Sequence, residues 1–340
     1  MSGWLQPPRP EQLVHGVSER YDRQIVLAEV GAAGQARLGA ARVLVIGAGG
    51  LGAAVLQYLT AAGVGTLAVV DHDRVEESNL HRQPLYRMRD LGQPKVQAAH
   101  RALLELNPGV RIEALAERLT AANAPALVAG ADVVIDAADS LAVTYVLSDA
   151  CRDARRPLVS ASVLGLAGYA GAFCGGAPSY RAVFPEMPRA AGNCAESGVL
   201  GTAVGVIGTL QAHLALALLL ELQPTVLGRL VSVDFRTLHV GGFSFTAACE
   251  PSGASLAFIA PAQVRSDDLV IDLRSLAETP VSAFAAALRI GVDELERAQT
   301  PLPPAPRIVL CCRTGVRAWR AGRALQSQGH ANVALVAMGE

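Results

Sequence analysis

The stretch Arg42-Val-Leu-Val-Ile-Gly-Ala-Gly-Gly-Leu-Gly52 constrains this chain more than any other. Its apolar, β-branched run at 43–46 suits one buried parallel strand. Gly47, Gly49 and Gly52 then complete G-x-G-x-x-G, and the apolar stretch 51–62 suits a helix. Glycines at such a turn let the backbone approach an anionic ligand, and the helix N-terminus offers it unpaired N–H groups. A second strand is predicted at 66–70, ending on Asp71. A carboxylate there, about 20 residues past the glycines, can hydrogen-bond a ribose hydroxyl. These features imply an α/β fold, a doubly wound Rossmann-like sheet with a nucleotide on it. They do not choose between a nicotinamide cofactor and ATP.

Composition bounds the rest. The 340 residues are 51% hydrophobic and 17% charged, enough for two units with their own cores. A net charge of -1 supplies no field that would draw nucleic acid or an anionic membrane. Residues 1–16 read as a disordered tail, Pro-rich around Trp4 and without the basic start and apolar core of a signal peptide. The run 204–222 is long enough to raise a membrane span. Gln211 and His213 interrupt it and Glu221 sits at its end, so it reads as a buried core helix. Six cysteines, at 151, 174, 194, 249, 311 and 312, have no secretory context and read as reduced thiols of a cytoplasmic protein.

Residues 17–38 read as one helix carrying Arg20, Tyr21, Arg23 and Gln24. Two arginines three apart ordinarily line a solvated face. Segment 71–84 holds Asp73, Ser78, Asn79, Arg82 and Gln83 and leaves the C-terminal end of a strand, where ligands of open α/β sheets sit. Gly92-Gln-Pro-Lys95 opens the next helix, which runs to about Leu106. A lysine in the first turn opposes the helix dipole, which points Lys95 at an anion; an exposed surface lysine is the plainer alternative. Strands are predicted at 111–115 and 133–135, the second running into Asp136-Ala-Ala-Asp139-Ser140. Two carboxylates at a strand end suit a Mg²⁺ carried by nucleotide phosphates; the alternative is that Asp139 or Ser140 simply N-caps a helix at 141–153.

Strands at 157–163 and 168–173 precede a Gly- and Pro-containing loop, 175–199, with Cys194 in it. Such a loop places a thiol better for chemistry than a core does. Segments 228–234 and 237–242 form a hairpin that closes a unit spanning 17–245. A linker at 246–262 leads to a smaller α/β unit at 263–340. There the pattern gives a strand at 269–273, a short helix at 283–288, a strand at 307–310, a loop at 311–317, a helix at 318–328 and a strand at 332–337.

In order, these stretches resemble the ThiF and MoeB enzymes, adenylating relatives of the ubiquitin-activating enzymes. The resemblance rests on R-Y-D-R-Q at 20–24, G-A-G-G-L-G at 47–52, A-G-V-G at 62–65 and D-H-D-R-V-E-E-S-N-L-H-R-Q at 71–83. It continues through G-Q-P-K at 92–95, D-A-A-D-S at 136–140 and C-A-E-S-G-V at 194–199. It implies ATP-dependent adenylation of the C-terminal Gly-Gly of a ubiquitin-like sulfur carrier, as in thiazole or molybdopterin synthesis. It also implies that Arg82 and Lys95 neutralise the phosphates, with Asn79 and Ser78 helping to position them. Gly50 would lie under the nucleotide, Asp71 and Asp73 beside the ribose and phosphates, and Asp139 with Ser140 at the Mg²⁺. Arg23 would reach the ATP of the second subunit of a homodimer, and Cys194 would bond to the carrier during sulfur transfer.

The family's two C-x-x-C pairs, which close a zinc site, read here as Ser179-Tyr-Arg-Ala182 and Cys249-Glu-Pro-Ser252. A tetrahedral site needs four good ligands, so zinc is expected to be absent. The C-terminal unit resembles a short rhodanese domain, through Asp272 and Arg274 and the loop Cys312-Arg-Thr-Gly-Val-Arg317. Such a loop aims backbone N–H groups at the cysteine and stabilises a persulfide. The sulfur would come from a persulfide donor of the cysteine desulfurase kind. The alternatives are a nicotinamide-dependent oxidoreductase, and a carrier-binding scaffold with an inactive second unit.

Overall fold

The computed structural model describes residues 18–188, 198–252, 255–298 and 301–339. Cys194 and the expected tail at 1–16 lie outside the described residues. The chain opens with α1 (Ser18–Ile25) and α2 (Gly31–Ala40), where the sequence reading expects one helix. The helical path stops at Ile25, and α2 starts at Gly31, which adopts φ +56°.

The following elements fall where the hydrophobic pattern puts them: β1 (Arg42–Ile46), α3 (Gly50–Ala62), β2 (Thr66–Val70), α4 (Lys95–Leu106) and β3 (Arg111–Leu115). A further helix, α5 (Ala124–Ala129), is not among the expected elements. Next come β4 (Val133–Asp136), α6 (Leu141–Asp153), β5 (Pro157–Leu164) and β6 (Ala167–Cys174). The short α7 (Tyr180–Val183), the long α8 (Gly201–Leu219), β7 (Arg229–Asp234) and β8 (His239–Ser244) complete the first sheet region. The sheet has eight strands in the order β3-β2-β1-β4-β5-β6-β7-β8. Strands β3 to β5 in that order pair in parallel, and β5 to β8 in antiparallel register. The strand order reverses between β1 and β4, which opens a crevice at their C-terminal ends.

Helix α8 is long and apolar enough to cross a membrane by length and composition, and half of that window is buried here. It lies against α3 so closely that a side chain at Gly208 would sit 2.8 Å from the Leu51 carbonyl. The interrupting Gln211 is fully buried, and its amide donates to the carbonyls of Asp136 (2.6 Å) and Val159 (3.1 Å). A polar residue in an apolar helix thus ties β4 to β5 where the crevice begins.

The second sheet contains β9 (Ala257–Phe258), β10 (Leu269–Asp272), β11 (Leu288–Arg289), β12 (Ile308–Cys312) and β13 (Val333–Ala337). All five are parallel, ordered β11-β10-β12-β13-β9, with α9 (Val292–Glu296) and α10 (Val316–Ser327) beside them. Three expectations change. Part of the expected linker is strand β9, which pairs with β13 at the sheet edge. The expected helix at 283–288 is absent: Phe284 and Ala287 pack half-buried against the cluster that includes Val270 of β10, and Leu288 pairs with Ile271. Tertiary packing overrides alanine's helix propensity there. Cys311 and Cys312 end β12 rather than open a loop, which leaves only residues 313–315 before α10.

The two loops where the resemblance places zinc are joined by other means. Ser179 donates its N–H (2.7 Å) and its hydroxyl (2.6 Å) to the Glu250 carboxylate. The adjacent Arg181 is 2% exposed and pairs twice with Asp149, at 2.6 and 2.8 Å. It also donates to the Leu256 carbonyl and lies over the rings of Tyr145 (4.7 Å) and Trp319 (5.4 Å). Tyr145 of α6 and Trp319 of α10 pack with centroids 4.9 Å apart, so one apolar cluster runs through both sheets. Removing Arg181 strands Asp149 and unpacks that junction. Arg181→Ala is expected to cost about 3 kcal/mol of stability, against about 1 kcal/mol for the more exposed Glu250→Ala, read from urea unfolding. Equal stability of Arg181→Ala and wild type would show that the junction does not depend on this side chain.

Candidate nucleotide site

The glycine loop lines the crevice, and its four glycines serve different ends. Gly47 adopts φ +96°, and a Cβ there would lie 2.6 Å from the Ala137 carbonyl across the switch point. A Cβ on Gly52 would fall on the Gly47 carbonyl, so α3 can close on the loop only without it. A Cβ on Gly50 would come within 2.7 Å of Val204 in α8. Packing against α8 therefore accounts for the missing side chain at Gly50. Only at Gly49 would a Cβ meet nothing nearer than the Gln83 amide, 3.7 Å away.

The Ala48 peptide between these glycines is held from both sides. Its N–H donates to Asp71 Oδ2 (2.7 Å) and its carbonyl accepts from the Tyr86 hydroxyl (2.6 Å). Asp71 Oδ1 accepts the Asp73 N–H at 2.7 Å. Asp71, expected beside the ribose, thus also braces the loop, and its carboxylate keeps lone pairs for a further donor. Burial and the nearby Asp71 charge push the Tyr86 hydroxyl far up, so it stays a donor. The sequence reading did not single out Tyr86.

The polar segment after β2 supplies the cations. Lys95, the first residue of α4, is 6% exposed, and its Nζ lies 2.8 Å from Asp73 Oδ2. It is not a surface lysine: the anion it faces here is Asp73. Burial raises the Asp73 carboxyl, but Lys95, helped by His72 and Arg118, outweighs this and holds it below its ordinary range. Ser78 and the buried Asn79 lie in a 3₁₀ turn, Glu77–Asn79. Arg82 follows it and donates to the Ser78 carbonyl at 3.0 Å. Gln83 is 3% exposed, and its amide oxygen has no partner although it lies beside Gly49. A buried unpaired acceptor is costly. Asp71, His72 and Asp73 bring three potential ligand atoms within 4.8 Å, but these side chains already engage Ala48, Arg118 and Lys95.

At the end of β4, Asp136 is fully buried and accepts from the hydroxyls of Thr144 (2.7 Å) and Ser160 (2.8 Å). Burial pushes its carboxyl up to about 6 against those two bonds, and the Asp139 charge adds to the rise. It holds the turn. Asp139 is exposed, and Ser140 at the N-cap of α6 makes no side-chain capping bond, so capping does not account for Ser140. On α1, Arg20, Tyr21 and Gln24 bond to Leu106, Asn107 and Gln35, while Arg23 stays exposed.

Residues 21–252 match the model of the ThiF family. The chain belongs to the ThiF family. It is 44% identical over 235 residues to the "sulfur carrier protein adenylyltransferase" of Thermus thermophilus, covering 65% of this chain and 87% of that protein. It is 40% identical over 336 residues to "adenylyltransferase and sulfurtransferase MOCS3" of Bos taurus, covering 86% of this chain and 73% of that protein. The chain spans about half the length of several other relatives of the latter name. Among solved structures, E. coli MccB shares the fold, with a TM-score of 0.60 at 19% identity over 69% of this chain and 73% of that one.

The ThiF match stops short of the second sheet, where Cys312 closes β12. Its sulfur is buried and accepts the N–H groups of Gly315 (3.1 Å) and Ala318 (3.4 Å). Gly315, at φ +90°, turns the chain into α10. Arg313 and Thr314 above the sulfur are exposed. Arg317 pairs with Glu278 at 2.8 and 2.6 Å. Asp272 is buried too, but its pair with Arg274 and a bond from Ser282 bring its carboxyl down to about 2. The expected Asp272–Arg274 pair and the cysteine loop thus stand at neighbouring strand ends.

Because the Ala48 carbonyl depends on one hydroxyl, Tyr86→Phe should weaken nucleotide binding about fivefold to tenfold while leaving the unfolding midpoint within about 2 °C. Calorimetric titration with ATP measures this. Unchanged affinity would mean that the loop holds its shape without the tyrosine.

Proposed function

We propose that this ThiF-family chain adenylates the C-terminal glycine of a ubiquitin-like sulfur carrier protein, of the kind used in thiazole or molybdopterin synthesis. ATP is the co-substrate. The observation that carries the reading is the buried Lys95 at the crevice, joined by Arg82 and the glycine loop. A carrier carboxylate and a polyphosphate repel, so the reaction needs cations fixed around the phosphates and the carboxylate held in line with the α-phosphorus. Lys95 exchanges Asp73 for phosphate, Arg82 swings from the Ser78 carbonyl onto the same group, and the Gly49 face admits the nucleotide backbone-close. Asn79 and Ser78 position it, and Asp71 takes the ribose. Asp139 and Ser140 are oxygen donors suited to a hard cation; they would hold a Mg²⁺ that neutralises phosphate charge. The glycine fingerprint's other reading, a nicotinamide oxidoreductase, is set aside by ThiF membership.

Arg23 is exposed beside Val26 and Leu27, which are 80% and 54% exposed. That supports a homodimer in which Arg23 reaches the partner's ATP. The division into an adenylating unit (17–245) and a sulfur-handling unit (263–340) belongs to the same reading. In it, Cys312 carries a persulfide received from a cysteine desulfurase-like donor, and Cys194 bonds to the carrier. The cradle of N–H groups on the Cys312 sulfur favours an active second unit over a scaffold. The four positions Ser179, Ala182, Cys249 and Ser252 offer one thiolate, and Ser179 is engaged by Glu250, so the protein folds without zinc.

ATP–pyrophosphate exchange with Gly-Gly-ended carriers tests the reaction. Lys95→Ala and Arg82→Ala should each lower exchange by about 10²-fold or more, with unfolding midpoints near wild type. Exchange at the wild-type rate in either variant would refute the assignment. Cys312→Ser should keep exchange and lose thiosulfate-to-cyanide sulfur transfer. A wild-type protein with no such transfer would bring the scaffold reading forward for the second unit.

A further inference from the structure

Arg118 lies between β3 and α5, outside every motif named above. Its Nη1 donates to the Met338 carbonyl (3.1 Å), and its Nη2 lies 2.8 Å from His72 Nε2. On the first side, Met338 N–H donates to the Cys312 carbonyl and Gly339 N–H to the Arg313 carbonyl, both at 2.9 Å. The strip that Arg118 holds therefore runs alongside the sulfur loop. On the other side, His72 lies 3.6 Å from Asp73, the residue paired with Lys95. One guanidinium spans from the sulfur loop to the phosphate lysine's partner. A side chain at Gly339, itself at φ +73°, would fall on that guanidinium.

A second, separate contact sets the same docking. A Cβ at Gly315 would lie 3.2 Å from the Ala142 Cβ in the first turn of α6. Asp139 and Ser140 immediately precede that turn. The Gly315 N–H is itself a donor to Cys312 Sγ. The sulfur loop thus abuts the switch-point end of the first sheet within one chain.

We propose that Arg118 is a positioning residue that straps the Cys312 loop beside the nucleotide crevice, so that sulfur on Cys312 is delivered to the acyl-adenylate formed in the same chain. The proposal rests on the adenylation reading above. With thiosulfate as donor, the Cys312 thiolate takes the outer sulfur and releases sulfite. The terminal persulfide sulfur then attacks the acyl carbon. A C–S bond forms, the C–O bond to AMP breaks, and AMP leaves with the electron pair. The carrier remains as an acyl disulfide on Cys312. A dithiol reductant cleaves the S–S bond, releasing the carrier thiocarboxylate and the Cys312 thiol as the reductant becomes a disulfide.

The test uses the full chain with thiosulfate, dithiothreitol and a Gly-Gly-ended carrier. Arg118→Ala should lower thiocarboxylate formation by about tenfold or more, while pyrophosphate exchange and thiosulfate-to-cyanide transfer each stay within about twofold. Arg118→Lys should recover part of the loss. Amide hydrogen exchange across 333–339 should quicken in Arg118→Ala whether or not the chain adenylates a carrier, so failure of the adenylation reading is distinguishable from failure of the strap. Mixed Lys95→Ala and Cys312→Ser chains should make no thiocarboxylate, since neither holds both sites. Recovery in that mixture, unchanged thiocarboxylate formation in Arg118→Ala, or unchanged amide exchange in the strip overturns the proposal. Loss of pyrophosphate exchange in Arg118→Ala also overturns it, by placing Arg118 in the adenylation machinery.

Discussion

The structure depends on how one peptide, that of Ala48, is held at the switch point of the sheet. A loop that must bring its backbone close to an anion cannot be braced by its own side chains, because it is built of glycine. The bracing comes from outside, from Asp71 on the N–H and Tyr86 on the carbonyl. Both braces are buried, where a hydrogen bond is electrostatically stronger than in water. The same Asp71 also takes the Asp73 N–H, and Asp73 pairs with Lys95. The loop, the strand end and the first turn of α4 are therefore set by one polar chain. That chain leaves a buried ammonium at the first turn of α4, paired with Asp73. The cost of desolvating Lys95 is offset by Asp73.

The opposite wall of the crevice is built by different means. Asp136 is buried without a cation, and burial favours its protonated form despite two hydroxyl donors. Its backbone carbonyl takes the Gln211 amide from α8. A helix otherwise apolar enough to span a membrane thus sends one polar group to the switch point. One wall carries Lys95 and Arg82, and the other carries the carboxylates of Asp136 and Asp139 at the end of β4.

Much of this was legible in the residues, and the reason is locality. The glycine loop, the β-branched runs and the polar segment after β2 are short patterns whose spacing alone carries their geometry. Lys95 was legible through its conflict with the helix dipole, which the Asp73 carboxylate resolves. The residues that were not legible act through partners far along the chain. Tyr86 bonds Ala48, Arg118 bonds Met338, and Arg181 reaches Leu256. Nothing in their neighbourhoods announces those partners, because each contact exists only after strands from distant segments have been placed side by side. The alanine-rich 283–288 failed for the related reason that Leu288 pairs with Ile271 of β10, a distant contact its propensity does not announce. Gly50 shows a third limit. A fingerprint glycine read as ligand-facing also serves the packing of Val204.

The side chains at the loops of Ser179 and Glu250 bear on how the two sheets depend on one another. Four thiolates around an ion would fasten two loops of the first region locally and leave the rest of the chain uninvolved. Here the fastening is distributed. Ser179 and Glu250 join the loops, and Arg181, two residues on, carries the connection through Tyr145 to Trp319 of α10. Trp319 in turn donates to Glu186, which also pairs with Arg323. The contacts of Trp319 and Arg323 need the second sheet in place, whereas the Ser179–Glu250 pair lies within the first region. The neighbouring unit is thereby part of the first region's core. The same docking brings the Cys312 loop to α6. Stability of the first region and placement of the sulfur loop therefore follow from a single interface.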